Sequence, residues 1–220
     1  MDYTINNEDL PLVITFQGFY SGMIPPFKRQ PEDIPFYMYN MSKNYKNVNF
    51  LFLKDINQIW FQKGLYGNTD FDDLVNNIKT FIEKYNFSKV ITIGSSAGGF
   101  SAILAGQLLN VDNIIAIDPQ SLIGHETCLY STNYRNFPGW QYRQFMLNKV
   151  SDKKYFDLNN LEYNTPVTIY TNEGKGGNPD LDHFMITRLI KNENIKFKNA
   201  NCDDHGLISK EELDKILLSL

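Results

Sequence analysis

The residues best suited to chemistry are Gly94-Ser95-Ser96-Ala97-Gly98, a Gly-x-Ser-x-Gly pattern. They stand between a β-branched run, Val90-Ile91-Thr92-Ile93, and a stretch of small and apolar residues that includes Ala102, Leu104, Ala105, Leu108 and Leu109. A serine on a tight strand-to-helix turn takes a strained backbone conformation, and side chains two residues to either side would collide with the turn. Glycine at 94 and 98 removes those side chains. Such a turn aims the Ser96 hydroxyl away from the sheet and leaves the Ala97 N–H free to donate to an oxyanion. The pattern therefore predicts a nucleophile elbow that carries acyl groups on Ser96.

A serine nucleophile needs a base, and the chain has three histidines, His125, His183 and His205. Behind an elbow of this kind the partners follow in the order Ser, acid, His. Only His205 leaves a full strand–helix unit between itself and Ser96. His125 directly follows the neighbouring strand, and His183 falls inside a predicted helix. His205 is the candidate base. The acid should orient the imidazole and stabilise the imidazolium, and it belongs after the fifth predicted strand. Asp180 ranks first there, Asp182 second and Glu173 third, although Asp180 after Pro179 also suits a plain helix N-cap. The second oxyanion donor should come from the loop after the first strand, where Gly18 allows close backbone approach and Gln17 or Phe19 could supply the N–H; Gly18 is favoured, with Gln17 as the alternative. Cys202-Asp203-Asp204-His205 falls short of the three or four converging ligands a metal site needs, so none is expected. Gly174-Lys175-Gly176-Gly177 lacks the Ser or Thr of a phosphate-binding loop.

These residues must be positioned by regular elements. Short apolar runs predict strands at 12–16, 48–53, 90–93, 113–118, 166–170 and 195–198. Between them, Asp70 opens an amphipathic helix that runs to Tyr85. The elbow opens a second helix, residues 180–191 read as a third, and Ser209-x-x-Glu212 is a capping box for the last. A short helix is also expected near 36–44. Strands alternating with helices imply an α/β fold with a mostly parallel six-stranded sheet covered on both faces. Ligands then gather at the carboxyl ends of the strands. The 17–22 loop, the elbow and the loops at 171–182 and 201–208 all fall at that end.

A chain of 220 residues suits one domain, 1–220, with a full core, and 42% hydrophobic residues make it globular. A net charge of −4 argues against nucleic acid or an anionic membrane surface as partner. No apolar run approaches the ~20 residues of a membrane span, and the N-terminus lacks the basic-then-apolar pattern of a secretory leader. Cys128 and Cys202 are expected as free thiols in a reducing cytoplasm, and the Asn-, Lys- and Ile-rich composition suggests a bacterial source. Residues 120–160 form an aromatic-rich insertion (Tyr130, Tyr134, Phe137, Trp140, Tyr142, Phe145, Tyr155, Phe156), a candidate cap suited to stacking on sugar rings. Phe19, Gln120 and Trp140 are the candidate substrate contacts.

The chain resembles the α/β-hydrolase superfamily. More narrowly, it is similar to the compact members among capsular and surface-polysaccharide O-acetyltransferases and glycan-modifying accessory-secretion proteins. The resemblance rests on Ile14-Thr15-Phe16, on Gly94-Ser95-Ser96-Ala97-Gly98-Gly99 and on Ala116-Ile117-Asp118-Pro119-Gln120. Asp180-x-x-His183 and His205 complete it. It implies an α/β-hydrolase fold whose N-terminal hairpin is missing, with Ser96 as nucleophile, Asp180 as acid and His205 as base. It further implies O-acetylation of a glycan acceptor with acetyl-CoA as donor and no bound cofactor. Two features depart from the pattern: Ala97 stands where relatives often carry Lys or Met, and the aromatic segment has no counterpart. Two other outcomes share the same sequence features. One is an esterase or deacetylase that gives the acyl group to water, and the other is a non-catalytic glycan- or partner-binding protein with a vestigial elbow.

Overall fold

The computed structural model describes residues 1–19, 34–67, 69–124, 144–172 and 184–220. Seven strands form one sheet: β1 (Asp2–Thr4), β2 (Leu12–Phe16), β3 (Asn49–Leu53), β4 (Val90–Ser95), β5 (Asn113–Ile117), β6 (Val167–Thr171) and β7 (Ile195–Asn199). Their spatial order is β1-β3-β2-β4-β5-β6-β7. All neighbours pair in parallel except β1, which runs antiparallel to β3 with Tyr3 opposite Leu51. The sequence predicts six strands, and the additional one is this three-residue edge, Asp-Tyr-Thr, which carries no apolar signal of its own.

Helices of the described residues include α1 (Tyr39–Ser42), α2 (Phe71–Ile82), α3 (Ala97–Leu109) and α4 (Lys210–Leu218). Alternation along each strand sorts the core into two layers. Leu12, Ile14, Phe16, Leu51, Ala116 and Ile169 face α2 and α3. Val13, Phe50, Phe52, Ile93, Ile115 and Ile117 face the other way, toward Leu213, Ile216 and Leu217 of α4. Both faces are thus covered, as parallel strands require.

Local chemistry sets the helix ends. Asp70 caps α2, its Oδ1 accepting from the Asp73 N–H at 2.9 Å. Ser209 caps α4 through the Glu212 N–H at 3.2 Å. The reciprocal half of the expected capping box does not form, because the Ser209 N–H donates to the Ala200 carbonyl and the Glu212 carboxylate pairs with Lys215. Among the described residues no helix is long and apolar enough to cross a membrane.

Helix α3 lies unusually close to the sheet because its inner face is built from small residues. A methyl group at Gly106 would sit 2.5 Å from Ile114 and 2.7 Å from Thr92, whose hydroxyl donates to the Ala102 carbonyl. This close packing fixes α3, and with it the residue just before it, against β4 and β5. The chain turns to opposite sides of the sheet after β2 and after β4, so the crevice between those two strands is the topological switch point where ligands gather in open α/β sheets.

Candidate active site

Ser96 stands at that switch point, between the end of β4 and the first turn of α3. Its backbone angles are φ 53° and ψ −117°, a conformation that L-residues avoid. Three contacts impose it. The Ser96 N–H donates to the Ile117 carbonyl at 2.8 Å, while the Ser96 carbonyl accepts from the Phe100 N–H at 3.1 Å and the Gln120 N–H at 3.4 Å. The flanking glycines are needed for the reason the sequence predicts, and the structure names the collisions. A methyl group at Gly94 would meet the Gly98 carbonyl oxygen at 2.2 Å. One at Gly98 would meet the Phe16 carbonyl oxygen at 2.2 Å and the Gly18 nitrogen at 2.9 Å. Gly98 is therefore also what lets the loop after β2 approach the elbow.

The His205 Nε2 lies 3.0 Å from the Ser96 Oγ, across 109 residues of sequence. This distance suits a base that removes the hydroxyl proton. The loop that carries His205 is tied to the carboxyl ends of three strands. From β4, the buried Ser95 hydroxyl donates to the Gly206 carbonyl at 2.5 Å. Just past β5, Asp118 Oδ2 accepts from the Gly206 N–H at 2.9 Å. Just past β6, the Asn172 amide donates to the carbonyls of Asp204 and Leu207 at 2.7 and 3.0 Å and accepts from the Cys202 N–H at 3.2 Å. Asp118 and Asn172 are joined in turn, the carboxylate accepting from the Asn172 N–H at 3.2 Å and from its side-chain amide at 3.0 Å. The sequence reading missed Ser95 and Asn172, and it used Asp118 only as part of a resemblance. Only Asp118 carried a signal, as a lone polar residue closing an apolar strand at the edge where ligands gather.

Ala97 is the first residue of α3, so its N–H has no acceptor within the helix. On the loop after β2 the two alternatives separate. The Gln17 N–H donates to the Leu53 carbonyl at 3.1 Å, whereas no such bond ties the Gly18 N–H among the described residues. A methyl group at Gly18 would meet the Ser95 carbonyl at 2.8 Å, so the close approach depends on glycine here.

Phe19 packs edge-on against Trp60, with ring centroids 4.5 Å apart, and the Trp60 indole N–H donates to Gln120 Oε1 at 2.5 Å. Gln120 is buried, and its side-chain oxygen accepts this bond from the indole. The sequence reading had no role for Trp60. Asp55, also buried, accepts from the backbone N–H groups of Asn57, Ile59 and Phe61 at 2.9, 2.6 and 2.8 Å. It thereby holds a loop in which Gln58, Trp60 and Phe61 all have positive φ. Burial pushes the Asp55 carboxyl up from its ordinary value, against the backbone N–H groups that pull it down.

Asp180, Asp182 and Glu173, the three candidate acids, lie outside the described residues, as do His125, Cys128, His183, the 174–178 loop and the aromatic positions from Tyr130 to Tyr142, Trp140 among them. Of the remaining aromatic residues of the insertion, Phe145 is exposed, while Tyr155 and Phe156 pack against the main core. The Tyr155 hydroxyl donates to Asp72 on α2 at 2.6 Å, so this part of the insertion braces α2. Cys202 is a free thiol.

No protein-family model matches the chain, and no curated protein matches it in sequence. Solved structures do. The capsule O-acetyltransferase of Neisseria meningitidis serogroup A is 20% identical with a TM-score of 0.58, over 98% of this chain and 89% of that one. A mutant of the same enzyme in complex with CoA gives 18% and 0.55, over 99% and 87%. Est1E from Butyrivibrio proteoclasticus is 16% identical with a TM-score of 0.59, over 97% and 86%. MGS-MChE2, an α/β-hydrolase enzyme from a lagoon-sediment metagenome, is 18% identical at 0.52, over 96% and 90%. The chain has the α/β-hydrolase fold. At these identities the likeness is one of architecture, and within that architecture β4 and α3 form the strand–turn–helix unit that carries Ser96.

Proposed function

We propose that the protein transfers an acyl group through an ester formed on Ser96. The observation that carries this is the 3.0 Å approach of the His205 imidazole to a serine hydroxyl held at positive φ. His205 Nε2 takes the Ser96 proton as Oγ bonds to the donor's acyl carbon. The tetrahedral oxyanion accepts hydrogen bonds from the Ala97 and Gly18 N–H groups. As the carbon–heteroatom bond to the donor's leaving group breaks, His205 returns the proton to it. An acceptor hydroxyl then attacks the acyl-Ser96 carbonyl by the same steps in reverse, giving its proton to His205 and regenerating Ser96. An acid completes the triad by orienting His205, and Asp180 is proposed for it, ahead of Asp182 and Glu173.

The finer reading is O-acetylation of a surface or capsular glycan with acetyl-CoA as a consumed substrate. It is supported by the resemblance of the sequence motifs and by the architecture shared with the CoA-bound capsule O-acetyltransferase. A second reading, transfer to water, is supported by the architecture shared with MGS-MChE2. The two are separated by turnover of a chromogenic acetyl ester with and without oligosaccharide. Acceptor-dependent turnover supports the transferase, and full turnover in its absence supports the hydrolase. If Ser96→Ala turns over ester as fast as the native protein, neither reading stands.

A further inference from the structure

The polar groups that end β4, β5 and β6 converge on one short loop, and one of them is a carboxylate. Asp118 is 4% exposed and has φ +39°, so both its burial and its backbone conformation are costly. Its two oxygens accept from three donors: the Gly206 N–H, the Asn172 N–H and the Asn172 amide. A carboxylate offers two oxygens to these donors where an amide offers one, but it also brings an anion, with its desolvation penalty, into a buried position. A fixed negative charge does have a use beside a residue that becomes positive during turnover. Gly206 is bonded to His205, and a methyl group at Gly206 would stand 2.6 Å from Ser95 Oγ and 3.7 Å from Ser96 Cβ. The anchored backbone is therefore in contact with the elbow itself.

We infer that Asp118, supported by Asn172 and Ser95, is a positioning residue that holds the His205 loop against Ser96 and favours the imidazolium formed when the serine proton moves. The inference rests on the reading of Ser96 and His205 as an acyl-transfer pair. It assigns Asp118 a role separate from that of the acid proposed to bond the imidazole directly. Other titratable groups on the loop are Asp203 and Asp204, both exposed, and Cys202. They are the same in every variant used below.

The test is Asp118→Asn in the full chain, with two readouts. One is the pH titration of the His205 imidazole followed by nuclear magnetic resonance, which does not depend on turnover. The other is the pH profile of Ser96 modification by a fluorophosphonate. The expected results are a His205 titration midpoint at lower pH than in the native protein and a labelling rate reduced about 10- to 100-fold, the size of effect that misplacing a catalytic group produces. The apparent affinity for the fluorophosphonate should stay within about twofold. Ser95→Ala, which removes one bond to the Gly206 carbonyl, should lower the labelling rate about threefold with an unchanged imidazole titration, and it carries the test alone if Asp118→Asn does not fold. An Asp118→Asn protein with native titration and native labelling overturns the inference, as does a native labelling rate in Ser95→Ala where that variant stands alone. Failure of the native protein to label at Ser96 overturns the acyl-transfer reading instead, and the imidazole titration still decides whether Asp118 acts on His205.

Discussion

Replacing Ser96 by alanine and by glycine measures the strain stored at the elbow. Both substitutions remove the hydroxyl and its contact with His205, so that loss cancels when the two variants are compared. They differ in the Cβ, which forces a side-chain-bearing residue to hold φ 53°, ψ −117° in the alanine variant and is absent in the glycine variant. Relief of a conformation of this kind is worth about 1–3 kcal/mol. Against it stand the extra chain entropy of glycine, about 0.5–1 kcal/mol, and about 0.4 kcal/mol for a half-buried Cβ. Glycine at 96 should therefore be the more stable of the two by about 1 kcal/mol, a rise of roughly 2–4 °C in Tm for a chain of this length. Urea titrations of the two variants, with thermal melts beside them, provide the comparison. A glycine variant less stable than the alanine variant by the ordinary helix or strand penalty would show that the elbow stores no strain, and the reasoning from φ to function would fail.

Gly98→Ala places a methyl group 2.2 Å from the Phe16 carbonyl. All its near contacts are backbone, so the oxyanion loop must withdraw. Ester turnover should fall about 100-fold or more, as when an oxyanion donor is lost, with a stability cost of about 1–3 kcal/mol read from the same melts. Asp55→Asn turns an acceptor of three backbone N–H groups into a group with one acceptor oxygen and an opposing NH2. A loss of about 2–4 kcal/mol in urea unfolding is expected, together with a changed Trp60 fluorescence. At acid pH, burial pushes the Asp72 carboxyl up, but hydrogen bonds from Lys154 and Tyr155 outweigh it and hold the group below its ordinary 3.8. A depressed carboxyl stabilises the fold above its unfolded value and loses that contribution as pH falls through the folded one. Asp72→Asn should therefore flatten the decline in stability below about pH 4, and the difference should shrink in 1 M salt because the pair is half exposed.

Much of the sheet was legible because its strands are short runs of Val, Ile, Leu and Phe buried on both faces, with glycine, proline or acidic residues between them. Leu12–Phe16 and Asn113–Ile117 needed no tertiary information. The edge strand Asp2–Thr4 did, since its only claim to be a strand is pairing with Phe50–Phe52. The elbow was legible because a strained serine leaves glycine at fixed offsets. His205 followed from chain order alone. The engagement of the Gln17 N–H by the Leu53 carbonyl was not legible, because it depends on how the loop after β2 lies beside the end of β3. Asp55, Trp60, Asn172 and the charge at Asp118 share one reason for being missed. Each acts by a side-chain hydrogen bond to backbone or amide groups, local for Asp55 and far along the sequence for the others, and such bonds leave no periodicity. Trp60 reaches Gln120 across 60 residues, and Asp118 reaches Gly206 across 88.

Acyl transfer as proposed requires Ser96 to be a nucleophile activated by His205. Intact-protein mass spectrometry after treatment with a fluorophosphonate, followed by peptide mapping, tests it most directly. One adduct is expected, on Ser96, absent in Ser96→Ala and slowed about 1,000-fold or more in His205→Ala. Contradiction would be an unmodified native protein, or a His205→Ala variant labelled at the native rate.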